Sequence, residues 1–300
     1  MAMASVRNGP GMKLIWTLLT AYMALLAGET VLTQRPSGEA VGKPDPPSAG
    51  WKLAWADEFD KDGRPDPLNW SYEAGFVRNR EVQWYQPDNA WCEAGLLIIE
   101  ARRERKQNQH YEPNSKDWKA SSEYADYTSA SVMTRGRHQW QYGRFEMRAR
   151  IDARPGLWPA FWTLGVGGEW PGNGEIDIME YYGGMLLANV AWGTEKRQVA
   201  EWDTVKKPIT EFNDPDWSRK FHVWRMDWDD EVIKLYVDDI LLNTTDLEDT
   251  FNKNTAGKNP FHQPHYMILN LAIGGTQGGD PSRTNFPARF EVDYVRVYQK

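Results

Sequence analysis

From Trp51 to Lys300 the sequence consists mainly of short apolar or alternating runs, and helical periodicity is almost absent. In the clearest run, RFEMRARI at 144–151, Phe, Met, Ala and Ile share one face, and three arginines and a glutamate share the other. Further strands are predicted at 95–103, 265–275 and 289–299, and a hairpin around Asp238 and Asp239 at 232–243. Many short strands with little helix predict an all-β fold, a β-sandwich of jelly-roll type.

The composition narrows the class of protein. A chain of 300 residues with 41% hydrophobic content can bury one large all-β core. The net charge of −7 argues against a nucleic-acid partner. The 16 Trp and 13 Tyr exceed what such a core needs, and they suit a cleft in which indole rings stack on sugars. The single cysteine, Cys92, excludes an internal disulfide.

The N-terminal segment has the pattern of an export signal. Basic residues precede an apolar run at 14–28, which is short for a membrane span, so residues 1–28 are predicted to be a signal peptide. Two alternatives stay open: Met12 as the true start, and an uncleaved anchor. Residues 29–48 are rich in Pro, Gly and Ser and are predicted to be a linker, which leaves 49–300 as one domain. The predicted location is extracellular or periplasmic.

One strand-like segment, GEIDIMEYYG, carries an unusual concentration of acids. It contains three carboxylates, those of Glu175, Asp177 and Glu180. In a regular strand Glu175 and Asp177 share a face, and Glu180 lies on the opposite one. A β-bulge at Ile178 and Met179 would return Glu180 to the first face, and bulges are frequent beside active sites. We therefore expect three carboxylates in one row.

A row of like charges raises the pKa of at least one member. Retaining glycoside hydrolysis uses that property, because one carboxylate attacks the anomeric carbon while a protonated one donates to the leaving oxygen. A calcium site is a rival interpretation, but calcium loops are rich in turns and this segment is apolar between its acids. A solvated strand face is the other rival, and it predicts interleaved Lys or Arg, which are absent here. The pattern favours catalysis.

The same segment resembles the active-site signature of glycoside hydrolase family 16, in the bulged form Glu-x-Asp-x-x-Glu of its laminarinase-like and agarase-like members. Further segments follow the order of that family, at 53–60, 78–104, 127–151, 156–165, 221–239 and 269–299. The resemblance implies a jelly-roll sandwich of the concanavalin A-like type with a substrate cleft across its concave face. It also implies a retaining hydrolase of β-linked polysaccharide.

The resemblance assigns roles to particular residues. Glu175 matches the nucleophile, Glu180 the acid/base and Asp177 the assisting carboxylate. The remaining substrate-binding candidates on this basis are Trp158 and Trp162 for stacking, Asn79 and Glu81 for donor-side sugars, Arg135 near the cleft, and Trp192. Glu58 and Asp293 match positions that hold a structural Ca²⁺ in relatives, whereas catalysis needs no cofactor.

One departure bears on the substrate. Laminarinases usually carry a histidine before Trp-Gly, where this sequence has Ala191, and a charged stretch through Lys207 follows that we expect to form a loop over one end of the cleft. We expect a secreted endo-glycosidase acting on a β-1,3- or mixed-linkage β-1,3-1,4-glucan. A galactanase-type activity on agar, porphyran, carrageenan or mucin-type glycan is an alternative, and a non-catalytic β-glucan-binding protein is another. We expect a monomer with no nucleic-acid partner and no membrane contact beyond the signal segment.

Overall fold

The computed structural model describes residues 50–253 and 257–300, which form two stacked β-sheets around a hydrophobic core. The segments 1–28 and 29–48, predicted as signal peptide and linker, lie outside the described residues. Within the described ranges, no helix is long and apolar enough to cross a membrane.

The strands are listed here in chain order. The first ten are β1 (Lys52–Asp57), β2 (Ser71–Tyr72), β3 (Gln83–Tyr85), β4 (Ala90–Glu93), β5 (Leu96–Ala101), β6 (Lys106–Gln107), β7 (Tyr124–Ala125), β8 (Tyr127–Ser129), β9 (Ser131–Met133) and β10 (Gly143–Arg150). The others are β11 (Leu157–Gly165), β12 (Glu175–Tyr182), β13 (Met185–Gly193), β14 (Ala200–Pro208), β15 (His222–Trp228), β16 (Val232–Val237), β17 (Ile240–Asp246), β18 (His265–Ile273) and β19 (Ala288–Gln299).

Two large antiparallel sheets contain most of these strands. The cleft sheet has the order β14-β13-β12-β11-β18-β9-β2, and the back sheet has the order β17-β16-β15-β10-β19-β5-β4, with β1 also paired to β19. The pairs β3-β8, which is parallel, and β6-β7 are small additions. The described helical elements are short: α1 (Gly275–Gly278) and 3₁₀ turns at Pro87–Asn89, Ile209–Phe212, Trp217–Arg219 and Leu247–Asp249.

The core fills the space between the sheets with the inward residues of alternating strands. On β10, Phe145, Met147 and Ala149 are fully buried, and the arginines between them face outward. On β12, Ile176 and Ile178 meet them from the cleft sheet as part of the same cluster. Each fully buried side chain of this size stabilises the fold by roughly 1.5–3 kcal/mol, so alternation is enough to fix which face of each strand points inward.

The fold class predicted from the sequence is confirmed. The predicted runs at 95–103, 144–151, 265–275 and 289–299 coincide with β5, β10, β18 and β19. The predicted hairpin is β16-β17, whose connection is Asp238-Asp239, with a positive φ of 51° at Asp238. The prediction of a loop through Lys207 is wrong, because residues Ala200–Pro208 form β14 at the edge of the cleft sheet.

Candidate active site

A β-bulge in β12 brings the three carboxylates to one face of the cleft sheet. Between Asp177 and Glu180, the pairing of β12 with both neighbouring strands shifts by one residue. Ile178 and Met179, the two residues at this shift, are both fully buried in the core, although consecutive strand residues normally face opposite sides. The extra residue returns Glu180 to the face that carries Glu175 and Asp177, so the predicted bulge is confirmed.

The register of this strand is fixed by the hairpin that follows it. Gly183 and Gly184 form the turn, with positive φ angles of 58° and 82°, a geometry that two-residue hairpins require and glycine adopts without strain. The turn pairs Tyr182 with Met185. After the bulge, Asp177 lies opposite Asn189 on β13. The amide is thereby placed beside the carboxylate row.

The carboxylate row lies in a cleft of about 820 Å³ on the outer face of the cleft sheet. Strand β11 contributes Trp158 and Trp162, and the connection between β11 and β12 contributes Trp170. On the other side of the row the lining continues across β13 to Trp202 on the edge strand β14. The acids thus lie between aromatic residues on both sides.

Each acid of the row accepts hydrogen bonds from uncharged donors. The indole N–H of Trp170 donates to Glu175 Oε2 at 2.6 Å, and that of Trp158 donates to Glu180 Oε1 at 2.6 Å. Asn189 Nδ2 donates to Asp177 Oδ2 at 2.9 Å and to Glu180 Oε2 at 3.2 Å. Within residues 50–253 and 257–300, no Lys, Arg or His forms an ion pair with any of the three carboxylates.

Burial raises the pKa of every carboxyl in the row, and neighbouring charges add to the shift at Glu175 and Glu180. Burial first, and then the charges of Asp177 and Glu180, hold the pKa of Glu175 well above its ordinary value. Burial likewise raises the pKa of Glu180 well above its usual range, with Asp177 adding to it, and raises the pKa of Asp177 to about 6. The indole donors Trp170 and Trp158 favour the ionised forms and partly oppose this shift. The row therefore retains a proton near neutral pH, and one carboxyl can donate it while another stays ionised.

The structure also brings Asn79 and Glu81 to the cleft, on the β18 side of the row. Glu81 is buried and accepts hydrogen bonds from Asn79 Nδ2 at 3.3 Å, Gln83 Nε2 at 2.7 Å and the Tyr85 hydroxyl at 3.2 Å. An isolated bridge to Gly274 connects this segment to the end of β18. Glu81 is therefore held in place as an acceptor at this end of the cleft.

Both predicted stacking residues, Trp158 and Trp162, line the cleft. The Trp162 indole N–H donates to Asn270 Oδ1 at 2.7 Å, and the guanidinium carbon of Arg78 lies 5.0 Å from the Trp162 ring centroid. Arg78 is in turn paired with Glu73. The Arg78 guanidinium thus covers one face of the Trp162 ring. This end of the cleft therefore contains an indole ring next to a cationic group that can donate hydrogen bonds.

Two predicted substrate-binding residues lie elsewhere. Trp192 belongs to the core cluster and is 8% exposed, because alternation along β13 turns Asn189 and Ala191 to the cleft and Trp192 inward. Arg135 follows β9, which β11 and β18 separate from the carboxylate strand, and its guanidinium carbon lies 5.6 Å from the ring centroid of Tyr266. Neither residue lines the cleft.

The predicted calcium ligands are engaged with arginines of the back sheet. Glu58 accepts two hydrogen bonds from Arg296, at 2.6 and 2.7 Å, and Asp293 accepts one from Arg148 at 2.6 Å. The described residues contain no group of three or more His, Cys, Asp or Glu side chains that could hold a metal ion. Calcium binding stays a prediction.

Several residues in the cleft were not predicted from the sequence. Trp170 and Asn189 contact the carboxylates directly, and Asn270 fixes Trp162. The Gly183-Gly184 pair could have predicted that Asn189 lies beside the acids, because a two-residue hairpin sets the register from the turn outward. Trp170 and Asn270 come from other parts of the chain, and no local pattern marks them.

A jelly-roll sandwich with a cleft of aromatic residues around a buried carboxylate row defines a glycoside hydrolase. The model of one family, the glycosyl hydrolases family 16, matches residues 99–296 of the chain. A β-glucanase of Rhodothermus marinus is 38% identical over 264 residues, which cover 83% of this chain and 85% of that relative. This chain belongs to glycosyl hydrolase family 16.

Solved structures agree with this assignment. The catalytic domain of an endo-1,3-β-glucanase (laminarinase) from Thermotoga petrophila RKU-1 superposes with a TM-score of 0.68 and 33% identity, over 83% of this chain and 98% of that one. A structure from work on endo-acting O-glycanases, with which prominent members of the human gut microbiota initiate mucin breakdown, has a TM-score of 0.76 and 36% identity. It covers 84% of this chain and 92% of that one.

Proposed function

We propose that this protein is a secreted, retaining endo-glycosidase that hydrolyses β-1,3-glucan or mixed-linkage β-1,3-1,4-glucan. The observation that carries the proposal is the row of Glu175, Asp177 and Glu180 on one face of a bulged strand, without a cationic partner among the described residues. The named activities of the β-glucanase and laminarinase relatives support the substrate.

In this mechanism Glu175 is the nucleophile and Glu180 is the acid/base. Glu180 donates its proton to the leaving glycosidic oxygen while the Glu175 carboxylate attacks the anomeric carbon, which forms a covalent glycosyl-enzyme. Glu180 then takes a proton from water, and the water oxygen displaces Glu175 with overall retention of configuration. The Trp170 N–H stabilises the ionised form of Glu175 that the attack requires.

Asp177 has a supporting role between the two glutamates. It lies within hydrogen-bonding reach of Glu175 and receives the Asn189 amide, which also contacts Glu180. Its charge therefore helps Glu180 to keep a proton before the first step and modulates the protonation of Glu175. The chemistry requires no metal or cofactor in this scheme.

An endo mode of action follows from the lining on both sides of the acids. Glu81 and Trp162 line the cleft on the β18 side, and Trp202 lines it on the β14 side. A cleft with contacts on both sides of the scissile bond favours binding in the middle of a polymer.

A mucin-type glycan is a second candidate substrate. The observation in its favour is that the structure from the O-glycanase work has a higher TM-score with this chain than the laminarinase has, 0.76 against 0.68. Ala191 stands where laminarinases usually carry a histidine, so this chain lacks an imidazole hydrogen bond beside the row that would favour β-1,3-glucan.

The test is a substrate panel with products sized by mass spectrometry. It contains laminarin, lichenan, agarose, porphyran, carrageenan and mucin O-glycans, and Glu175→Gln protein serves as the inactive control. The proposal expects faster release of oligosaccharides from laminarin or lichenan than from any other polymer. A faster release from mucin glycans would replace it by the second candidate, and faster release from a galactan would overturn both.

We propose that residues 1–28 direct secretion and are removed, and that the mature enzyme is a monomer. The basic residues and apolar run at the N-terminus support the first point. N-terminal sequencing of protein recovered from the culture medium or periplasm should give a start near residue 29. Light scattering of the same material should give the mass of one chain, and intact protein retained in the membrane would instead support an anchor.

A further inference from the structure

Strand β14 extends the cleft beyond the catalytic machinery. It pairs with β13 over nine consecutive residues without a register shift. Alternation along this strand places Trp202, Thr204 and Lys206 on the cleft side, and all three line the cleft. On the opposite side of the strand, Asp203 accepts a hydrogen bond from Thr245, and Glu201 pairs with Lys253. One face of β14 therefore lines the cleft, and the other contacts Thr245 and Lys253.

Ala191 lies between the acids and this strand in the sheet register. In the sheet register, Glu175 lies opposite Ala191, and Ala191 lies opposite Trp202. The residue between acid and indole is thus a small, fully buried alanine, and both Glu175 and Trp202 line the cleft. Trp202 is 45% exposed, and its ring has no aromatic or cationic stacking partner among the described residues.

Lys206 occupies a similar position two rows further along, after Thr204. It lies opposite Leu187, which lies opposite Glu180. Lys206 is exposed and forms no ion pair within the described ranges, whereas its neighbour Lys207 pairs with Glu211. An ammonium group without a carboxylate partner has donors available for the hydroxyl groups of a ligand.

We propose that Trp202 and Lys206 form an acceptor-side subsite that binds a pyranose ring of the substrate two sugars beyond the scissile bond. The indole face of Trp202 stacks on the C–H face of the sugar, and the Lys206 ammonium donates to its hydroxyl groups. This inference rests on the proposed function, because it uses the roles given there to Glu175 and Glu180.

The sheet geometry indicates on which side of the acids β14 lies and how far it is from them. Asn79 and Glu81, the donor-side candidates, lie at the β18 end, so β14 at the opposite edge faces the leaving part of the chain. Neighbouring strands lie about 4.8 Å apart, which puts β14 roughly 10 Å from the acids on β12. The first acceptor sugar then lies over β13, whose Leu187 and Asn189 line the cleft, and the second reaches Trp202.

The test compares two kinds of substrate on wild-type and Trp202→Ala enzyme. The first is a donor-side oligosaccharide with an aryl leaving group, which occupies only the first acceptor position. The second is an oligosaccharide series of increasing length from the polymer that wild type cleaves fastest. We expect Trp202→Ala to lower kcat/KM about tenfold more on the longer oligosaccharides than on the aryl glycoside. Trp202→Tyr, which keeps an aromatic face, should recover most of that loss.

Two matched controls separate binding from folding. Phe251→Ala removes another exposed aromatic ring that does not line the cleft, and Glu201→Gln changes the opposite face of the same strand. Both should retain the wild-type ratio between the two substrates. Equal loss on both substrates in Trp202→Ala, or no loss on either, would overturn the subsite while leaving the hydrolase intact. If wild type cleaves neither kind of substrate, the proposed function fails and the subsite falls with it.

Discussion

Acidic residues on the two outer faces of the sandwich differ in the groups that contact their carboxylates. On the back sheet, carboxylates pair with arginines across neighbouring strands, as in Arg144–Asp227, Arg148–Asp293 and Arg150–Glu291. On the cleft sheet, the three acids of β12 accept hydrogen bonds from indole and amide N–H groups and form no ion pair with any described residue. Both sheets contribute to one core, so they differ in the contacts of the acids on their outward faces.

This difference separates stability from reactivity. Partly exposed ion pairs contribute little to stability, about 0–1 kcal/mol each, but they keep the carboxylates of the back sheet neutralised. The cleft acids lack that compensation, and burial raises their pKa values. The destabilised row can then hold and release a proton near neutral pH.

The largest effect is expected from Glu180→Gln, which removes the proton donor of the row. Loss of a general acid lowers turnover by roughly 10² to 10⁴-fold. The loss should be large on the polysaccharide and much smaller on aryl glycosides with acidic phenols, because those leaving groups need no proton. Steady-state kinetics on both substrates measure the ratio. An equal loss on both would remove Glu180 from the acid role.

The indole donors should act on opposite limbs of the pH profile. Trp170→Phe removes a donor that favours ionised Glu175, so the pKa of Glu175 rises and the acidic limb of kcat/KM moves up by about one pH unit. Trp158→Phe does the same to Glu180, and the basic limb moves up because the acid keeps its proton longer. Profiles in which both variants shift the same limb would contradict the assignment of roles.

Neutralising one acid in each sheet should change stability in opposite directions. The folded pKa of Asp177 is raised to about 6, so its protonated form stabilises the fold at low pH, and that contribution is lost as the pH rises through 6. Asp177→Asn should therefore raise the free energy of unfolding by about 1–3 kcal/mol at pH 8, and by less at pH 4. Asn can still accept the hydrogen bond from Asn189.

The matched variant is Asp293→Asn on the back sheet, which loses its pairing with Arg148. It should lower the free energy of unfolding by up to about 1 kcal/mol. Urea unfolding at several pH values measures both variants. A loss of stability in Asp177→Asn at pH 8 would mean that the row does not strain the fold.

The smallest effect is expected from chelation. If Glu58 and Asp293 hold the predicted calcium ion, EDTA should lower the melting temperature slightly and leave the activity unchanged, because Arg296 and Arg148 can still pair with both carboxylates. A melting temperature unchanged by EDTA and by added Ca²⁺ would remove the predicted ion. A lower melting temperature in EDTA that Ca²⁺ restores would show a structural calcium ion, and would require these ion pairs to rearrange.

The sequence predicted the parts of the fold whose strands have one buried and one exposed face. Alternation marked β10, and the position of Ile178 and Met179 between the acids marked the bulge in β12. Strand β14 escaped because it is an edge strand with few buried residues on either face, so it has no apolar alternation and resembles a charged loop.

The site was predictable where the chemistry is local. The acids follow from one segment, whereas Trp170 and Asn189 depend on a loop conformation and a hairpin register. For Trp192, the sequence prediction placed a core residue in the cleft. The family resemblance suggested the cleft, but the alternation of side chains along β13 turns Trp192 into the core.

Azide rescue tests the central claim most directly, with Glu175→Ala and Glu180→Ala compared on an activated aryl β-glycoside. In Glu175→Ala, azide can take the place of the missing nucleophile, so we predict restored turnover and a glycosyl azide of inverted configuration. In Glu180→Ala, azide attacks the glycosyl-enzyme formed on Glu175, so we predict a product of retained configuration. Exchanged configurations, or near wild-type activity of Glu175→Ala without azide, would contradict the account.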